Sequence, residues 1–190
     1  MDVKTLFTDW DARQEIFEKR FNEHFPKSDD LLTTVLKGHL LVEELLDTIN
    51  RHCFHFPKYY DEANLPFSKK ILIARAQVLV PNPEFLFGAL IALNELRNNL
   101  AHNLDSPAQI SKIQRFVTFV EKRYSQEHLE GFNPLEFPIE RRVGSALSYL
   151  LGTLGVLDNF VEFMEKMRQY GPSEAEQTSP PSSHLPSSLK

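Results

Sequence analysis

An all-α fold follows from three features of the 190-residue sequence. Apolar residues recur at three- and four-residue steps, the period-two alternation of half-buried strands is missing, and Pro, Asn and Ser punctuate the chain where helices start and stop. Together they predict an up-down helical bundle of five to six helices over residues 1–170, followed by a disordered tail, GPSEAEQTSPPSSHLPSSLK, at 171–190. That tail is nearly all Pro, Ser and polar groups, and its apolar surface cannot offset the entropy of ordering it. No internal repeat is evident.

The first expected helix covers Asp9 to His24, with Trp10, Ile16, Phe17 and Phe21 as its stripe. Phe25-Pro26 closes it, because proline bars helix continuation. Ser28 then reads as an N-cap with Asp29 and Asp30 in the first turn, where acidic side chains favour the helix dipole. The second helix, Asp29 to about Phe54, carries Leu31, Leu32, Val35, Leu36, Leu40, Leu41, Leu45 and Ile49, and its opposite face holds Lys37, Glu44, Asp47 and Asn50. The segment FPKYYDEANLPF reads as a loop leading to a short third helix, Phe67 to Val78, which Pro81 ends.

Asn82 as cap and Pro83 at the first helical position open a fourth helix that packs through Phe85, Leu86, Leu90, Leu93 and Leu100. Ser106-Pro107-Ala108-Gln109 is a capping-box pattern, so a fifth helix runs from Pro107 to about Tyr124. A sixth, Pro138 to Tyr170, is the most apolar, and its Gly144, Gly152 and Gly155 either admit a close neighbour or kink it.

Composition excludes several classes of function. Twenty-one Lys and Arg against 26 Asp and Glu give a net charge of -5, so the chain does not coat nucleic acid by charge alone and any RNA contact is local. Residues 1–50 hold 6 basic and 11 acidic residues, whereas 106–170 hold 8 of each. The longest uncharged stretch, Val143 to Leu157, has 15 residues and reads as a buried helix, short of the roughly 18 a membrane span needs. Lone Cys53 and a charged beginning without a basic-then-apolar run predict a cytoplasmic protein without a membrane partner. Neither GxxxxGK[ST], GxGxxG nor GxSxG occurs, which removes ATPase, Rossmann and α/β-hydrolase readings.

The chemistry concentrates in Leu96-Arg97-Asn98-Asn99-Leu100-Ala101-His102-Asn103. On an ideal helix Arg97 and His102 project about 140° apart, while Asn98 and His102 share a face. A histidine to take the proton of a ribose 2′-hydroxyl and an arginine to stabilise charge on the phosphoryl oxygens suit RNA cleavage without metal or other cofactor. In-line cleavage benefits from a base and an acid, so a homodimer that brings two such helices face to face would supply both. The plainer reading is also open: a histidine in a last helical turn favours the dipole, and Arg97 can pair with Glu95 or Glu44.

The string ELRNNLAHN, late on an apolar helix, resembles the Arg-x4-6-His signature of the HEPN superfamily (higher eukaryotes and prokaryotes nucleotide-binding domains), with Asn98 as the polar residue after the arginine. KGHLLVEELLDTI resembles the long second helix of those bundles, and LPFSKKILIARAQ the helix before the motif helix in bacterial members. The resemblance covers residues 28–125 and leaves 126–170 as a packing extension. It implies a dimer with adjacent motif helices and, in active members, a metal-independent endoribonuclease serving as a toxin or in antiviral defence. His102 would then be the acid/base, Arg97 the phosphate-stabilising residue and Asn98 the polar supporter, with Asn99 and Glu44 as supporting residues. An antitoxin or regulatory protein is the implied partner beside RNA. Other members are non-catalytic regulators or interaction modules, and some bacterial ones are similar to the mannitol operon repressor group.

Three smaller features complete the reading. His52, Cys53 and His55, with Asp61 and Glu62 behind, suggest a zinc site but supply no second cysteine or spaced histidine pair, so helix-end residues are the better account. His39 reads as a bundle residue, and Lys69 and Lys70 as a solvated face. Arg141-Arg142 and Lys122-Arg123 read as surface charge screened by Glu140 and Glu121.

Overall fold

The computed structural model describes residues 30–80, 82–102, 108–127 and 136–169, with residues 12, 15, 16, 19, 20 and 23–25 before them. Six helices and no strand occur among the described residues: α1 (Leu31–Cys53), α2 (Pro57–Glu62), α3 (Phe67–Gln77), α4 (Pro83–His102), α5 (Ala108–Glu127) and α6 (Ile139–Gln169). The class is all-α, as the periodicity predicts. Ala12, Glu15, Ile16, Lys19, Arg20, Glu23 and His24 are also helical. Trp10, Phe17, Phe21, the Ser28 cap, the Ser106 capping box and the 171–190 tail lie outside the described residues.

α1 starts two residues later than expected, at Leu31. Asp30 is the cap: it is extended, and its carboxylate accepts the Thr33 N–H at 2.9 Å, satisfying a donor the helix leaves open. That bond also holds the Asp30 carboxyl below its ordinary range. The buried series of α1 is Val35, Gly38, His39, Val42, Leu46, Ile49 and Asn50, whereas Leu40 is 64 % exposed. Leucines surround this helix, so composition leaves the phase open and polar Asn50, read as outward, is fully buried.

Chain direction can be read from paired contacts. Gly38 meets Leu147 and His52 meets Asp158, so α1 and α6 run parallel, and this is the most extensive helix pairing. Gly88 meets Phe119 while Glu95 meets Lys112 and Arg115, so α4 and α5 form an antiparallel pair. The core is shared: Val42 and Leu46 of α1, Leu90 and Leu93 of α4, Phe116 of α5 and Leu147 and Leu150 of α6 are all essentially inaccessible. Val143 to Leu157 is thereby a core helix segment, and no described helix is long and apolar enough to cross a membrane.

Gly38 and Gly88 admit close approach of a neighbouring helix. A Cβ on Gly38 would lie 2.7 Å from Leu147 Cδ1, and one on Gly88 would overlap the Phe119 ring. Gly144 and Gly152, singled out from the sequence for this role, face open space.

The FPKYYDEANLPF segment contains a short helix, α2, with Pro57 at its start, and Asn64 takes a left-handed φ of 44° just after it, a conformation asparagine tolerates. Tyr60 of α2 donates to Asp47 Oδ1 at 2.7 Å, and Asn50 Nδ2 donates to the Tyr60 hydroxyl and to the Lys70 carbonyl. Lys70 is no solvated lysine: its side chain is 13 % exposed and its ammonium donates to Glu43 and Asp47, each at 2.8 Å. Likewise Arg142 and Glu121, read as surface charge, form a mostly buried bidentate pair at 2.8 and 2.6 Å that ties α6 to α5.

Candidate functional site

α4 begins where Asn82 Oδ1 accepts the Phe85 N–H at 3.3 Å, with Pro83 at the first position, as the sequence predicts. Leu86, Leu90, Leu93, Leu96 and Leu100 bury its inner side. From Asn94 onward the residues between the leucines are polar apart from Ala101, and they divide into two flanks.

His102 closes the helix and is exposed, with Asn98 exposed one turn before it. Asn99 is half-buried, and its Oδ1 is buried without a hydrogen-bond partner. Two full turns before His102, on the same face, Glu95 receives Lys112 at 2.7 Å and Arg115 at 2.5 Å from α5. Both donors converge on one oxygen, Oε2. Sequence reading offered Glu95 only as a partner for Arg97; the seven-residue spacing to His102 and the Lys112/Arg115 step on α5 were the available signals.

Arg97 lies on the other flank. It is half-buried, and its Nη1 donates to Asn98 Oδ1 at 3.1 Å. Among the described residues no carboxylate pairs with it, so neither Glu95 nor Glu44 takes the role that the plainer reading gave them. Its neighbour is His39 of α1, which is 4 % exposed and packs against Phe67 with ring centroids 4.3 Å apart and ring planes tilted by 51°. His39 Nδ1 lies 3.8 Å from Glu43, and its Nε2 is buried without a hydrogen-bond partner. Burial pushes the imidazole below its usual range; Glu43 and the Asn94 side chain oppose this, while Arg97 and Lys70 reinforce it.

The structure therefore brings Arg97, Asn98, Asn99 and His102 to one helix end. It does not bring Glu44 to them: that carboxylate pairs with Arg20 and lines a groove with Leu151, Gly155 and Asp158 of α6. The acidic residue on the Arg97 flank is Glu43, one position earlier.

His52 and Cys53, at the end of α1, have separate structural surroundings. His52 Nδ1 lies 2.7 Å from Glu165, joining α1 to α6, and Cys53 is half-buried with its thiol pushed up by burial. Among the described residues, no group of three or more His, Cys, Asp and Glu is arranged to hold a metal ion. A second surface feature is an apolar groove of about 690 Å³ lined by Leu79, Val80, Phe85, Tyr149, Val156 and Phe160.

Comparison of the chain with protein-family models, with curated proteins and with solved structures finds no match.

Proposed function

We propose that this chain is a HEPN-like, metal-independent endoribonuclease that works as a homodimer, with Arg97 and His102 at the interface. The observation that carries the reading is the state of the α4 end. Arg97 and His102 keep no carboxylate partner among the described residues, whereas Arg51, Lys70, Arg75, Lys112, Arg115 and Arg142 are each paired. A guanidinium and an imidazole left available beside two asparagines suit a phosphodiester: His102 accepts the 2′-hydroxyl proton, and Arg97 stabilises the phosphoryl oxygens as the 2′-oxygen attacks. Asn98 holds the guanidinium at 3.1 Å and orients it. A twofold dimer adds the second histidine, which protonates the leaving 5′-oxygen. A toxin or phage-defence role beside an antitoxin fits this activity.

The test is RNA cleavage by purified protein in EDTA, wild type beside His102→Ala and Arg97→Ala, with product ends identified. Cleavage leaving 2′,3′-cyclic phosphate ends, lost in both variants while the melting temperature stays within about 2 °C, supports the reading. Equal inertness of all three proteins across varied RNAs would sink it.

A second reading has its own observation. Leu79 in the apolar groove is 91 % exposed and Val156 53 %, an apolar surface that favours a regulatory or protein-interaction module of the same fold. Inert but dimeric protein would move the assignment there.

A further inference from the structure

We infer that Lys112 and Arg115, held by Glu95, form a phosphodiester-binding subsite for the RNA strand on the His102 side of α4. This deepens the proposed cleavage function and rests on it. Glu95 and His102 are seven residues apart, which places them on one face of α4 with a rise of about 10 Å between them. Into that face α5 projects two cations, and both donate to the single oxygen Glu95 Oε2, at 2.7 and 2.5 Å.

The arrangement leaves one positive charge over. One carboxylate balances half of the pair, and all three side chains are open to water, with Lys112 34 %, Arg115 51 % and Glu95 31 % exposed. A carboxylate oxygen accepting two cationic donors stands where a phosphate oxygen of a bound strand would accept the same two. Phosphate binding therefore requires the cations to exchange Glu95 for the ligand, and Glu95 acts as an internal competitor that keeps the subsite weak. The chain is acidic overall, with a net charge of -5, so a local cation pair of this kind is how an RNA strand gains a foothold. Arg97, on the opposite flank, cannot serve a strand that passes along this face of the same protomer.

The signs of three substitutions test this. Binding of a short single-stranded RNA is measured by fluorescence anisotropy across a salt series, each change made in full-length His102→Ala protein so that no cleavage occurs. Lys112→Gln and Arg115→Gln weaken binding about two- to fivefold each and make the salt slope shallower by about 0.7. Glu95→Gln does the opposite: it frees both cations, tightens binding and steepens the slope. In otherwise wild-type protein the two cation variants raise KM with kcat nearly unchanged. A purely structural clasp gives another pattern, in which Glu95→Gln lowers the melting temperature and leaves RNA affinity unmoved. If that pattern is found, and Lys112→Gln and Arg115→Gln bind as the parent does, the subsite is refuted; cleavage that still depends on His102 leaves the enzymatic reading standing. Failure of every variant to bind or cleave RNA overturns both.

Discussion

Lys70→Met keeps the length of the side chain and removes its charge, and the structure sets the expected cost. The ammonium lies 2.8 Å from Glu43 and 2.8 Å from Asp47, and the three side chains are 13 %, 28 % and 19 % exposed. At an effective dielectric constant of about 20 each contact has a gross Coulomb attraction of about 6 kcal/mol, most of which is offset by desolvating the ions. What the substitution adds is the penalty of leaving two carboxylates together, four residues apart on α1, with no cation between them. Breaking a buried pair in this way costs about 3–5 kcal/mol, and partial access to water at Glu43 places the value near the lower end, about 3 kcal/mol. For a chain of this size that lowers the melting temperature by about 6–12 °C. The assay is urea unfolding followed by circular dichroism, with the triple variant Lys70→Met/Glu43→Gln/Asp47→Asn alongside. The triple variant recovers most of the loss because no uncompensated charge remains. A loss under about 0.5 kcal/mol for Lys70→Met, or a triple variant no better than the single one, would refute the argument that this network is charge-balanced by Lys70.

Three glycines give a graded series in thermal melts. Gly38→Ala destabilises by about 1–2 kcal/mol, because its Cβ meets fully buried Leu147, which has nowhere to move. Gly88→Ala is close to neutral, since the opposing Phe119 ring is 37 % exposed and can swing outward as helix propensity improves. Gly144→Ala meets open space and stabilises by about 0.5–1 kcal/mol, and a loss there would contradict the packing described. On the acid side, His39 is held below its ordinary range by burial, so the unfolded chain binds a proton that the folded one does not. Stability therefore falls as pH drops below about 6.5, and His39→Leu flattens that limb in urea titrations at pH 5 and 7.5. On the alkaline side Lys70 and Tyr60 are both held above their ordinary values, Lys70 by its two carboxylates against burial and Tyr60 by burial. The folded state then binds more protons than the unfolded one, so stability declines above about pH 10, and Tyr60→Phe reduces the decline.

Helices were legible where local chemistry decides them. Asn82-Pro83 set the start of α4 to the residue, and the three- and four-residue spacing found α1, α3, α5 and α6 within a few positions. α2 is not legible in the sequence because its six residues, Pro57–Glu62, are too few to display a helical stripe. Burial along α1 is not legible in the sequence for a different reason. Polar Asp47 and Asn50 read as outward-facing, yet their partners, Tyr60 and the Lys70 backbone and ammonium, come from α2 and α3. Only tertiary structure supplies those partners. The same holds for the Arg142–Glu121 pair, whose members lie 21 residues apart on neighbouring helices.

At the candidate site, helical geometry made the separation of Arg97 from His102 legible, but not what stands on each side. His39 and Glu43 back the Arg97 flank, while Glu95, Lys112 and Arg115 occupy the His102 flank. This division bears on the dimer. Were one protomer sufficient, a phosphate would have to reach both flanks around the helix, across an angle of about 140°. A second copy of α4 across a twofold axis removes that obstacle, because the partner's Arg97 flank can face the first protomer's His102 flank. Cleavage should then fall on dilution in step with dimer dissociation, measured by sedimentation over the same concentration range. Activity that persists undiminished in the monomer would remove Arg97 of the second copy from the reaction. It would leave Lys112 and Arg115 as the cations able to serve His102 from within one chain.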